Sequence, residues 1–206
     1  MNRKILFSVL IIVLSLAAIG GATAAWFTAS ADPIENVFTA GTVSIAANET
    51  VLTQGFVFGN WNPGDCVDKQ FTITNTGTKG IYLRGRLVGQ WYEKVSGEWV
   101  PWTPPANVVT IAPAAGESNW QELGGYWYYK EGRVTGTYGG VPGGTATFTI
   151  RVCLDGPATT NVFQGKQFKL LTTFEAIQAS NNASASEPGW LVNYDPVAKL
   201  WSAVTP

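Results

Sequence analysis

Ten consecutive residues, Thr145–Leu154, alternate without a break: Phe148, Ile150, Val152 and Leu154 share one parity, and Thr147, Thr149, Arg151 and Cys153 share the other. A repeat of two is that of a β-strand with one face against a core and one toward water. Three more stretches carry the same repeat. In residues 66–75, Val67, Phe71 and Ile73 oppose Cys66, Asp68, Gln70, Thr72 and Thr74. In residues 81–92, Ile81, Leu83, Leu87 and Trp91 oppose Tyr82, Arg84, Arg86 and Gln90. In residues 167–178, Phe168, Leu170, Phe174 and Ala176 alternate with Lys169, Thr173 and Glu175. Long half-buried strands with turn signals between them, and no helical periodicity after the first 25 residues, predict an all-β protein: an antiparallel two-sheet sandwich.

The remaining segments are placed by their turn chemistry. Strands are expected at 37–47 and 51–58, ahead of the turn Asn60-Trp61-Asn62-Pro63-Gly64-Asp65. Asn75-Thr76-Gly77-Thr78-Lys79-Gly80 is the next turn. Between about 95 and 140 Gly and Pro punctuate short apolar pieces, which reads as an insertion of short strands and loops, with an aromatic strand at 126–130 and a turn-rich return at 132–140. Residues 180–206 open with a linker composition, Asn-Asn-Ala-Ser-Ala-Ser, and continue as either a small packed hairpin or a loosely held interaction segment.

The N-terminus is of another kind. Arg3 and Lys4 precede an apolar run, 5–19, that thins into Gly and Ala, the pattern of a signal peptide occupying residues 1–25. Cleavage is expected after Ala24 or Ala25. A retained anchor is the alternative, since 5–27 is long enough to span a bilayer, but a stable span would stay bulky where this one thins. Contact with the membrane is therefore expected only before cleavage. Loss of Arg3 and Lys4 leaves 11 basic and 14 acidic side chains, a net charge of −3. With no basic cluster, nucleic acid is not an expected partner. Charged residues make up only 13% of the chain, so its surface has little charge to keep copies apart.

Cys66 and Cys153 are the two cysteines, both in the secreted part and both on the polar face of their strands, which suits a disulfide between neighbouring strands near the surface. Two unpaired thiols are the less favoured alternative outside the cell.

With these residues read, the chain resembles the TasA/camelysin family of secreted proteins. The resemblance rests on Ala24-Ala25-Trp26-Phe27, on Phe38-Thr39-Ala40-Gly41-Thr42, on Asn62-Pro63-Gly64-Asp65 opening a strand that ends in Asn75-Thr76-Gly77, and on Phe163-Gln164-Gly165 leading into the strand at 168–178. Residues 90–138 carry none of it. The resemblance implies a jelly-roll form of the sandwich over residues 37–179 and an extended donor segment, 26–36, ahead of it. It also implies a homopolymer in which that segment, Trp26, Phe27, Thr28, Ala29, Ser30, Ala31 and Asp32, is donated to the next subunit. The expected setting is an extracellular or biofilm matrix, with other matrix or anchoring proteins as further partners and no cofactor.

Proteins of the camelysin branch are described as metallopeptidases, and that chemistry is hard to write with these residues. There is no histidine, so neither a His-Glu-x-x-His zinc site nor a Ser-His pair is available. A zinc site of Cys and carboxylates would need both thiols free. No catalytic role is expected. A rival from another class is a monomeric carbohydrate-binding or wall-associated sandwich, with Trp99, Trp102 and Trp120 of the insertion as stacking platforms; packing inside the domain or between subunits is the favoured reading of these tryptophans. Asn48-Glu49-Thr50 and Asn182-Ala183-Ser184 match the N-glycosylation pattern, a coincidence unless the producing organism glycosylates its surface proteins.

Overall fold

The computed structural model describes residues 2–24, 40–53 and 61–205. The chain forms two compact units, Met1–Thr39 and Ala40–Pro206. In the first, Arg3–Ala24 is a helix, α1. Its sequence holds no proline and no charge beyond Lys4, and Ile5, Phe7 and residues 9–14 are all exposed. Among the described residues no helix is long and apolar enough to cross a membrane.

The second unit is a sandwich of two antiparallel sheets. One has the order β1-β2-β8-β5, from β1 (Ile45–Val51), β2 (Cys66–Asn75), β8 (Thr145–Leu154) and β5 (Val109–Pro113). The other is built on β3 (Ile81–Val95). Along one edge of β3 lies β9 (Gln167–Gln178), in register from Ile81 opposite Gln178 to Tyr92 opposite Gln167. The other edge is shared: β7 (Tyr126–Tyr129) pairs at Arg84 and Gly85, and β4 (Glu98–Trp102) pairs from Trp91 to Val95. β6 (Trp120–Leu123) completes that sheet beside β7.

The alternation read from the sequence is the packing. Val67, Phe71, Ile73, Ile81, Leu83, Trp91, Phe148, Ile150, Val152 and Leu154 form one buried core. Gly85 and Gly89 on β3 stand where an added Cβ would lie 2.7 Å from the Phe174 ring and 2.5 Å from the Phe168 ring. Their missing side chains let two rings of β9 lie across the neighbouring strand. Cys66 and Cys153 are direct partners in the β2–β8 register and are joined by a disulfide, as their shared polar-face parity predicts.

One local expectation changes, and two readings left coarse or open become specific. Where strands were expected at 37–47 and 51–58 there is one described strand, β1; residues 40–44 make no ladder, and 37–39 and 54–60 lie outside the described residues. β-branched residues flank a true strand on both sides here, so propensity alone misplaced its ends. The insertion contributes to both sheets, with β5 added to one and β4, β6 and β7 to the other. The segment after Ser180 is folded: a one-turn helix, α2 (Ala183–Ser186), precedes a hairpin of β10 (Val192–Asp195) and β11 (Leu200–Ala203).

Candidate assembly edge

Greek-key connections are common to jelly rolls and immunoglobulin-type sandwiches. In this chain β1-β2-β8-β5 follows the A-B-E-D order of the second kind, and β3 with β9 stands as its C-F pair. A seventh strand, G, would pair with the far edge of F. Among the described residues β9 pairs only with β3, so along its twelve residues every second one turns a backbone donor and acceptor away from β3 with no ladder partner.

The side chains report the same gap. On β8, in the middle of its sheet, every core-facing residue from Ala146 to Leu154 is buried. On β9 the core-facing Phe168, Leu170, Phe174 and Ala176 are only half-buried. Across the seam, β1 approaches β9 from the opposite sheet. Ala47 and Glu49 share the core-facing parity of Ile45 and Val51, standing opposite Ile73 and Phe71, and both are exposed. A carboxylate is tolerated on that side of a strand because the seam is open to water. Glu49 pairs there with Lys69 at 2.5 Å.

Among the described residues, three buried side-chain polar atoms lack a hydrogen-bond partner: Gln167 Oε1, Thr172 Oγ1 and Trp61 Nε1. Two are on β9, and the Trp61 ring packs against Phe168 of β9 with centroids 5.7 Å apart. An unpaired buried polar group costs about 1–3 kcal/mol, so their gathering along one seam marks a place short of partners. A groove of about 520 Å³ runs along the last residues of the same strand, lined by Glu175, Ala176, Ile177 and Gln178 with Val43 and Trp190.

The C-terminal segment closes the outer face of the sheet beside this groove. Trp201 packs on Tyr82, Tyr128 and Tyr194, and its ring nitrogen donates to Tyr129 O at 2.9 Å. Arg84, which periodicity put on the polar face, is 5% exposed beneath that cover. Its guanidinium lies between the Tyr126 ring, 4.0 Å away, and the Trp190 ring, 4.4 Å away. It donates to Glu175 Oε2 at 2.7 Å, Tyr128 Oη at 3.3 Å and Gly189 O at 2.5 Å. Burial works against its charge, and the hydrogen bonds to Tyr128 and Glu175 more than restore it. Nothing in the sequence marks Arg84 as the clamp of the tail, because the covering residues are a hundred positions away.

The expected site residues fall as follows. Ala24 ends α1, while Ala25 and the donor residues Trp26 to Asp32 lie outside the described residues. Asn48 is exposed on β1, and Asn182 is exposed in a left-handed turn before α2. Of the three insertion tryptophans, Trp120 is buried against Phe148, Trp102 packs on Trp91 and Phe163, and only Trp99 is exposed. Two of the three platforms proposed for a sugar are therefore core.

The sequence model of a family described as camelysin metallo-endopeptidase matches residues 1–83, that is α1, β1, β2 and the first residues of β3. The match bears out the TasA/camelysin resemblance, and the family is one of secreted or cell-surface proteins. No curated protein matches the chain. The description implies a metal centre, and the residues of this chain do not fit one. It has no histidine, its two cysteines are spent in the disulfide, and among the described residues no three of His, Cys, Asp and Glu gather.

Proposed function

We propose that this chain is a secreted structural subunit of an extracellular filament, in which residues 26–32 of one copy add as a strand to the free edge of β9 in the next. The observation that carries this reading is the open seam: a twelve-residue strand that among the described residues is paired along one edge, half-covered core side chains on it, and orphaned polar groups on it and on Trp61 beside it. β-Strand addition supplies what is lacking there, backbone partners along the edge and alternate side chains toward the core. Phe27, Ala29 and Ala31 on one parity, or Trp26, Thr28 and Ser30 on the other, are the side chains available to fill it. The contact is head-to-tail, so it propagates instead of closing.

Signal cleavage has a place in this mechanism, because a segment still joined to α1 is not free to enter a neighbour. Pro33, which cannot donate to a ladder, marks the boundary between donated strand and home domain. The role is structural, with no catalytic step assigned. Deleting residues 26–32 from the secreted chain is expected to leave a folded monomer that forms no fibres under negative-stain electron microscopy; fibres of normal length from that variant would sink the proposal.

A further inference from the structure

Residues 134–144 form a short hairpin standing on the turn between β2 and β3. Its base is tightly seated. Val134 and Ile81 exchange backbone hydrogen bonds of 2.9 Å, Thr137 N donates to Gly77 O at 2.8 Å, and the buried Asn75 amide donates to Val134 O at 3.1 Å. Gly136 lies so close to Thr78 that a Cβ would sit 2.4 Å from its carbonyl, and a Cβ on Gly143 would sit 1.8 Å from Asn75 O. At the tip, Tyr138 and Val141 exchange hydrogen bonds of 3.2 and 2.9 Å around Gly139 and Gly140, whose φ values of 57° and 83° are those of a tight primed turn.

This rigid hairpin ends in two uncovered apolar groups. Tyr138 is 87% exposed and Val141 66% exposed. The turn that seats the hairpin also receives the N-terminal segment: Thr42 N donates to Thr78 Oγ1 at 2.9 Å, and Lys79 N donates to Thr42 O at 3.1 Å. From Ala40 back to Asp32 is eight residues. Such a length spans at most about 25–30 Å, so a neighbour that holds residues 26–32 must bring its body against this end.

We propose that Tyr138 and Val141 form an end-on docking contact with the neighbouring copy of this chain, the one whose β9 edge takes up the N-terminal segment; the inference rests on the filament reading above. Strand addition alone leaves a flexible joint between subunits, and a stiff apolar tip seated on the neighbour would set their angle and lower the concentration at which fibres form. Low surface charge leaves little to oppose the contact.

The test is the secreted full chain carrying Tyr138→Ser and Val141→Ser together, compared with the natural chain, with Tyr138→Phe and with the chain lacking residues 26–32. The critical concentration for fibres is read by sedimentation and the melting temperature by circular dichroism. The double variant is expected to melt with the natural chain and to need about tenfold more protein to polymerise, as for loss of a buried interface aromatic. Tyr138→Phe is expected to stay close to the natural chain. If the double variant melts early, Tyr138→Lys alone, which changes only an exposed ring, replaces it with the same expectation. Polymerisation of these variants at the natural concentration, while the deleted chain forms no fibres, overturns the docking contact and leaves strand donation standing. Absence of fibres from the natural chain overturns both.

Discussion

Phe71 on β2 and Phe174 on β9 meet across the sandwich with ring centroids 5.4 Å apart, and only Phe71 is buried. The two rings belong to one core, so the difference lies in their strands. Among the described residues β2 is flanked on both sides, by β1 and β8, whereas β9 is flanked on one. Water reaches Phe174 where a further strand would lie.

Truncation should therefore cost different amounts at equivalent core positions. Phe148, fully buried on β8, is expected to lose about 3–5 kcal/mol as Phe148→Ala, the range for a buried aromatic. Phe174→Ala should cost clearly less in the monomer and should weaken fibres more than it weakens the fold. Urea unfolding of monomer, beside the critical concentration of each variant, separates the two effects. Equal losses in the monomer would mean that the seam is already covered.

The tail depends on Arg84. Arg84→Met keeps the length of the side chain and removes the hydrogen bonds to Glu175, Tyr128 and Gly189. Because Glu175 is partly exposed, the expected loss is modest for a buried ion pair, about 1–3 kcal/mol. Limited proteolysis should then cut first around residues 187–191, releasing the β10–β11 hairpin. Arg84→Lys should fail to rescue, because a compact ammonium cannot lie flat between the Tyr126 and Trp190 rings.

The contrast between core and clamp marks what was legible in the chain. The parity of residues 145–154 and 66–75 predicts both strands, their buried faces and the disulfide, because a period of two is a local property. Glycine and proline placed the long insertion but not its division between the sheets, since strand partners are chosen by contacts far apart in sequence. Arg84 reads as a surface residue because its cover comes from residues 189 and 190. The open edge of β9 is invisible for the same reason: its sequence alternates like that of a strand paired on both sides.

Reduction of Cys66–Cys153 should be costly but should not undo the topology. The bridge closes a loop of 87 residues, for which loop-closure entropy gives about 4–5 kcal/mol. A Cys66→Ser, Cys153→Ser chain is expected to keep its β-rich circular dichroism spectrum and to unfold at markedly lower denaturant. An unchanged midpoint would assign the stability elsewhere.

Acid should loosen the outer face of the β2–β8 pair. Arg151 donates to both oxygens of Asp68 at 2.7 Å, and this holds the Asp68 carboxyl below its ordinary range. Two backbone N–H groups, of Ala198 and Val197, do the same for Asp195 in the β10–β11 turn. A carboxylate with a lowered folded-state pKa contributes stability that is fully present above its unfolded value, near 3.9, and is lost as pH falls through the folded value. Unfolding midpoints should therefore fall below about pH 4, and Arg151→Met should flatten part of that fall. A fall of the same size in the variant would remove Asp68 from the account.

The central claim is that β9 is the acceptor, and amide hydrogen exchange tests it most directly. The chain lacking residues 26–32 is measured alone and with a synthetic peptide of those seven residues. The account predicts added protection along Gln167–Gln178, with the edges of β5 and β6 unchanged. Protection that appears on another edge, or none on β9 at saturating peptide, would contradict it.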